Sequence, residues 1–177
     1  MNNVLRITSG KFKGRKILTP GGKTHPMGER ERIALFNMIS GFIPGSRVVD
    51  VFSGSGALGI EALSRGADEV VFIEKNTGAY ETIRQNLSDL EVNDGVEALK
   101  TDAYKFSEET TEKYDIVIAD PPYDEYDGEK IKLRSKLVGE LGGILVLSHP
   151  NEAPEMPGLK LDRTRSYANA NISIYTR

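Results

Sequence analysis

The sequence predicts an α/β fold, a mostly parallel sheet with helices on both faces, preceded by a small β-hairpin and a helix. Three observations point there. From residue 47 onward, apolar runs of strand length alternate with segments of helical period, and strands joined through helices form parallel sheets. Some of these runs are unbroken, as in Ile116–Ala119, which suits a buried strand. A glycine-rich turn, "SGSGALG", joins the first such strand to the first such helix.

The elements follow in order. "VLRITSGKFKGRKILTP" alternates polar and apolar residues on both sides of Gly10 and Gly14, the pattern of two short strands in a hairpin. "GGKTHPMGE" is a Gly/Pro-rich loop. "ERERIALFNMIS" carries Ile33, Leu35, Phe36 and Ile39 at helical spacing, and "FIPGS" (42–46) breaks it. Next come a strand over 47–52, a helix over 57–66 closed by Gly66 as its C′ residue, and a strand over 68–74. A helix over 77–90 places Tyr80, Ile83, Leu87 and Leu90 on one side. A short strand is expected over 96–102, a helix or loop over 104–113 and a strand over 114–120. A helix over 128–141 and strands over 142–149, 159–167 and 170–176 complete the chain. There is no internal repeat and no second hydrophobic core, so residues 1–44 read as an extension on a main domain of 45–177.

Composition excludes several chemistries. With 177 residues, 38% hydrophobic and 28% charged, the chain suits one compact soluble domain. It has no cysteine, hence no disulfide, thiolate nucleophile or thiolate ligand. Only His25 and His149 could supply imidazole, so no metal is expected. The N-terminus has no apolar leader, and no run approaches the roughly 18 apolar residues of a membrane span; a cytoplasmic monomer with no membrane partner is expected. Charge is uneven. Residues 1–23 hold six basic side chains and no acid, so the remainder must be −9 to leave the whole chain at −3. Such asymmetry hints at a polyanion partner, although a solvated basic hairpin face would look the same.

"VVDVFSGSGALGIEAL" places Gly54, Gly56 and Gly59 between a strand and a helix. Glycines let the backbone approach a ligand, and the helix N-terminus offers free N–H groups. Glu74, 20 residues after Gly54 at the end of the next strand, can accept from both hydroxyls of a ribose. Spacing alone leaves a dinucleotide open. Two acids argue against it. Asp50 stands inside the strand, where a ligand with a cationic amino-acid end suits it better than a pyrophosphate. Asp102, at the end of the third strand, could reach an adenine amino group. Singly, each is more simply a cap or turn residue. As an ordered set, acid, glycine loop, acid and acid at successive strand ends describe an S-adenosylmethionine site.

"DPPY" (120–123) ends the fourth strand, beside the point where an open sheet binds its ligand. An exocyclic amine on a nucleobase is a weak nucleophile, because its lone pair is delocalised into the ring. It must be held by acceptors that aim the lone pair at the methyl carbon. The Asp120 carboxylate and the Pro121 carbonyl are two such acceptors. Pro121 and Pro122 fix φ and donate nothing, so the carbonyl stays aimed. Tyr123 offers a face for the base to stack on. A simple Pro-rich turn would explain the rigidity but not the flanking acid and aromatic.

With an acid before and an aromatic after, the two prolines resemble the motif of amino-group methyltransferases acting on adenine N6, guanine N2, cytosine N4 or glutamine. Together with "RITSGKFKGRKILTP", "ERERIALFNMI", "VVDVFSGSGALGIEALSRGA" and "YDIVIADPPY", the chain resembles the RsmD-like family from about Leu5 to Tyr175. That resemblance implies a Rossmann-like class I methyltransferase, with a seven-stranded sheet whose last strand is antiparallel. It implies S-adenosylmethionine as methyl donor and guanine N2 of bacterial small-subunit (16S) ribosomal RNA, in the subunit or its precursor, as acceptor. The donor site would comprise Asp50, Phe52, Ser53, Gly54, Gly56, Glu74, Lys75, Asp102, Ala103 and Asp120. Catalysis would fall to Asp120, Pro121, Pro122 and Tyr123, and RNA contact to Lys11, Lys13, Arg15, Lys16, His25 and Arg30. The chain departs from the family in His25-Pro26-Met27, where Arg-Pro-Thr is usual, and in Tyr167-Ala168, where Tyr-Gly is usual. Two other readings fit the motifs: a related amino-methyltransferase acting on adenine or a protein glutamine, and a ribosome assembly factor without turnover.

Overall fold

The computed structural model describes residues 4–21, 27–167 and 170–177. Strands β1 (Val4–Arg6) and β2 (Lys16–Leu18) pair antiparallel, and α1 (Glu29–Met38) follows. The main body runs β3 (Arg47–Asp50), α2 (Ala57–Ser64), β4 (Glu69–Ile73), α3 (Thr77–Asp89), β5 (Val96–Leu99) and α4 (Ala103–Glu109). It continues with β6 (Ile116–Ala119), α5 (Gly128–Ile131), β7 (Ile144–His149), β8 (Lys160–Tyr167) and β9 (Ala170–Thr176).

Seven strands form one sheet in the order β5-β4-β3-β6-β7-β9-β8. The strands from β3 to β7 pair parallel with their neighbours, and β9, the last, runs antiparallel between β7 and β8. This is the expected class I methyltransferase sheet. Alternation along the strands sorts the core into two layers. Val48, Ile116, Ile118, Ile144, Val146, Ile172 and Ile174 join α1, α2 and α3 on one face. Val49, Val117, Ala119, Leu145, Leu147 and Tyr175 join Ala103 of α4 and Ile131 of α5 on the other. Because β6 is covered on both faces, all four of its residues are buried, which is why it reads as an unbroken apolar run. Gly66 closes α2 with φ 106°, the left-handed conformation expected of it.

The N-terminal hairpin is fastened to α2, whose eight residues are all buried. The Glu61 carboxylate accepts from the Thr8 and Ser9 N–H groups at 3.0 and 3.1 Å and from the Thr8 hydroxyl. Arg65 donates to it at 2.9 Å, and Arg32 of α1 lies 3.8 Å away. Ser64 accepts from Phe12 N–H, and its carbonyl accepts from Lys11 N–H. The chain passes so close here that a Cβ on Gly10 would stand 1.7 Å from the Ser64 carbonyl oxygen.

One long element differs from expectation. Instead of a helix over 128–141, α5 makes one turn, a 3-10 helix spans Lys132–Leu137, and the chain then turns extended at Val138. Tertiary hydrogen bonds override the local pattern. Tyr114 N–H donates to the Leu137 carbonyl and Gly139 N–H to the Tyr114 carbonyl, both at 2.8 Å, so the segment joins the entry to β6 instead of coiling on. The stretch that read as helix or loop is α4, ending at Glu109. Strand β5 stops at Leu99, three residues short of Asp102.

Candidate active site

Strand order reverses between β3 and β6: β4 and β5 extend one way and β7, β9 and β8 the other. Chains diverge at such a point and leave a crevice at the carboxyl ends of the strands. Asp50 ends β3, and Asp120 follows the last residue of β6.

Asp50 is fully buried. Its Oδ2 accepts from Gly59 N–H at 3.1 Å, while among the described residues its Oδ1 has no hydrogen-bond partner. Burial pushes its pKa up to about 7. The Asp120 and Glu74 charges add to the rise, and the Gly59 and Phe52 N–H groups oppose it. Gly54 and Gly56 adopt φ of 53° and 80°, which only glycine takes cheaply. Gly59 serves packing, since a Cβ there would lie 2.3 Å from the Phe72 ring. Ser53 clamps the loop to β4: its hydroxyl donates to the Asp50 carbonyl at 2.7 Å and accepts from Ile73 N–H at 2.9 Å.

Glu74 closes the loop from the other side, accepting from Gly54 N–H at 2.8 Å and Asn76 N–H at 2.7 Å. Asp102 caps α4, its Oδ1 taking the Tyr104 and Lys105 N–H groups at 2.8 and 3.1 Å. It is therefore a helix cap, and its other oxygen takes no part in the capping. Ala103 is buried beside it, and half-buried Phe52 meets Tyr104 edge to face with centroids 5.8 Å apart. Lys75 is exposed and pairs with Glu125, across from the turn that follows β6.

Burial pushes the Asp120 carboxyl up to about 6, and the adjacent Ser148 hydroxyl, favouring the charged form, opposes this. Among the described residues no hydrogen bond reaches the Pro121 carbonyl, whereas that of Pro122 accepts from Glu125 N–H. Tyr123 opens a 3-10 turn, 37% exposed, with its hydroxyl 2.8 Å from Ser148 Oγ. The expected acceptors thus stand at the switch point, beside an acid with one oxygen to spare.

Lys11, Lys13, Arg15, Lys16 and Arg30 are all exposed. Arg15 is partly committed, donating to the Asp89 carbonyl at 2.8 Å. His25 lies outside the described residues. The hairpin and the glycine loop are linked through buried Asn86, which exchanges hydrogen bonds with Leu18 N–H and C=O and donates to the Ser55 carbonyl.

Four residues at or around this site escaped the sequence reading. Asn86 carried a signal, as a polar residue three positions after Ile83 on the apolar side of its helix. Glu61 did too, an acid inside the apolar stretch "ALGIEALS". Ser148 and Arg134 carried none. Arg134 is buried, stacked over Tyr104 and Phe52, and it donates to the Ala103 carbonyl at 2.9 Å and to the Ser107 hydroxyl. Burial holds its pKa down at about 10.

Residues 5–176 match the family model described as Conserved hypothetical protein 95. YlbH of Bacillus subtilis (strain 168) is 32% identical over 185 residues, covering 98% of this chain and 99% of that protein. The Ribosomal RNA small subunit methyltransferase D of Escherichia coli (strain K12) is 33% identical over 120 residues, covering 67% of this chain and 60% of that one. The solved structure of yhhF from Escherichia coli superposes with a TM-score of 0.89 at 28% identity, covering 99% of this chain and 98% of that one. The chain belongs to this family, the RsmD-like proteins of class I methyltransferase fold whose motifs its sequence carries.

Proposed function

We propose that this chain transfers the methyl group of S-adenosylmethionine to the exocyclic N2 of a guanine in bacterial small-subunit ribosomal RNA. The observation that carries the reading is the meeting of two acceptors, Asp120 and the Pro121 carbonyl, with the unpartnered Asp50 oxygen at the sheet's switch point. Relatives named for small-subunit ribosomal RNA methylation support the acceptor class. S-adenosylmethionine supplies an activated methyl group on a sulfonium.

The residues divide the work. Asp50 Oδ1 suits the ammonium of the donor's amino-acid end, since a buried carboxylate oxygen without a partner is costly until a cation meets it. Glu74 accepts from the ribose hydroxyls with the lone pairs that Gly54 and Asn76 leave. Phe52, Ala103 and the N-terminus of α4 line the adenine side, with Asp102 Oδ2 turned to the exocyclic amine and Lys75 at the rim. Asp120 and the Pro121 carbonyl accept from the two N2 hydrogens and aim the lone pair, while Tyr123 stacks on the base. Held in that way the reaction gains most from orientation, worth about 7–11 kcal/mol in well-aligned systems. A carboxyl with pKa about 6 can then take the proton that the methylated amine loses. In this reading residues 1–44 face the RNA through Lys11, Lys13, Arg15, Lys16, Arg30 and His25, and residues 45–177 hold the donor. The substrate places the reaction in the cytoplasm.

Methyl transfer into small subunits purified from a deletion strain, followed by nucleoside analysis, tests the assignment. N2-methylguanosine is expected. N6-methyladenosine would move the reading to the adenine enzymes. Donor binding with no transfer to RNA or to protein glutamine would favour an assembly factor.

A further inference from the structure

Ser148 belongs to none of the expected sets, yet it sits where the proposed chemistry is decided. It lies on β7, next to β6, and the register Ala119↔Leu147 brings Asp120 and Ser148 side by side at the strand ends. Alternation from Ile118 and Val146, which share one core layer, turns both side chains to the same face. Ser148 is 2% exposed, and its hydroxyl is 2.8 Å from that of Tyr123. A serine hydroxyl has one proton and two lone pairs, so it can accept from the phenol while donating to the carboxylate.

We propose that Ser148 is a positioning residue that ties the Asp120 carboxylate and the Tyr123 ring into one hydrogen-bonded unit, fixing the amine acceptor relative to the surface on which the base stacks. The two prolines hold the backbone between Asp120 and Tyr123 but cannot hold either side chain. Without a link, the carboxylate rotates about its own bonds and the exposed ring swings on the 3-10 turn. Ser148 removes both freedoms from a buried and rigid strand. The groups facing Asp120 are Asp50 from β3, Tyr123 from the turn and Ser148 from β7. His149 is turned to the opposite face, bonded to Ser173 and to the Asn151 carbonyl. Ser148 and Tyr123 are thus the two uncharged hydroxyls in that group, and the effect of Ser148 on the carboxylate is to favour the charged form.

The inference rests on the proposed methyl transfer, so its test needs one readout within that reaction and one outside it. Outside it, carbon-13 NMR titration of the Asp120 carboxyl in ligand-free protein should show a higher pKa in Ser148→Ala than in wild type. The sign follows from removing a donor that favours the carboxylate. Within the reaction, Ser148→Ala should lower kcat by about 10-fold or more, as a small misplacement of reacting groups does. The acid limb of kcat/KM should move to higher pH, with donor affinity unchanged. Ser148→Thr, which keeps the hydroxyl, should restore both readouts. Tyr123→Phe keeps the stacking ring on an exposed turn and should reproduce part of the kcat loss. An unmoved Asp120 titration in Ser148→Ala overturns the proposal whatever the substrate proves to be. So does a kcat loss that Ser148→Thr fails to restore, because that marks packing alone. A moved titration in a protein that transfers no methyl group would leave the link standing and sink the methyl-transfer reading.

Discussion

Two acids among the described residues are fully buried, Glu61 and Asp50, and their surroundings are opposite in kind. Glu61, under the N-terminal hairpin, is saturated: two backbone N–H groups, a hydroxyl and Arg65 bond it, and Arg32 lies beside it. Asp50, at the end of β3, accepts one hydrogen bond, from Gly59 N–H on one oxygen, and among the described residues none on the other. The Phe52 N–H only eases its charge, while Asp120 and Glu74 raise the cost of it. A buried charge that is fully bonded helps specify one arrangement of the chain, whereas one left incomplete lowers stability until something completes it. The first region is built to stay shut. The second is left incomplete, and the proposed donor site rests on that contrast, since a cationic group would complete it.

The comparison can be broken at either end. The largest effect is expected at Glu61. Its loss leaves Arg32 and Arg65 without their carboxylate, so Glu61→Ala should destabilise the protein by about 3–5 kcal/mol in urea unfolding. A change below about 1 kcal/mol would mean that the hairpin is held by apolar packing and that the polar anchor is idle. Glu74 lies between the two extremes, bonded to Gly54 and Asn76 but with lone pairs to spare. Glu74→Ala should weaken donor binding by about 1–3 kcal/mol, and calorimetry giving an unchanged affinity would remove Glu74 from the site. The smallest effect is expected on the outer side of the hairpin. Replacing Lys11, Lys13, Arg15 and Lys16 with Ala should reduce the log–log salt slope of RNA binding by roughly 0.7 to 0.9 per lost phosphate contact. Donor affinity and unfolding should hardly change, because these side chains are exposed. An unaltered slope would make the hairpin a solvated face that Glu61 merely fastens.

The strand-end placement of the candidate residues was legible in the sequence, because apolar runs fix where strands end and the motifs sit at those ends. Asp50, the glycines, Glu74 and the Asp120–Tyr123 motif all stand at such ends. Asp102 was legible only in part. It falls beyond β5 as a helix cap, a role that the same residue type and position equally support. The helix expected over 128–141 failed because hydrogen bonds from Tyr114 and Gly139 bind partners far apart in sequence, which no local period records. Ser148 was invisible for the same reason, since its meaning comes from lying one strand away from Asp120. Glu61 was readable as an acid in an apolar helix, but its partners Thr8 and Arg32 are 53 and 29 positions away in the chain.

The most direct measurement concerns Asp120→Asn, followed in both unfolding and methyl transfer. Burial places the wild-type carboxyl at about 6 against an ordinary value of 3.8. Its contribution to stability is therefore full below the ordinary value and is lost as pH rises through about 6. At pH 8 the charge costs the ligand-free fold something, and Asn removes that charge while keeping the shape. The variant should then be as stable as wild type or more so at pH 8, an advantage that disappears toward pH 4. Transfer into small subunits should fall by about 10²-fold or more, since the aligned acceptor for the amine is altered, with donor affinity retained. Near-normal turnover, or a marked loss of stability at pH 8, would show that Asp120 is held for the fold, as Glu61 is, and would contradict the account.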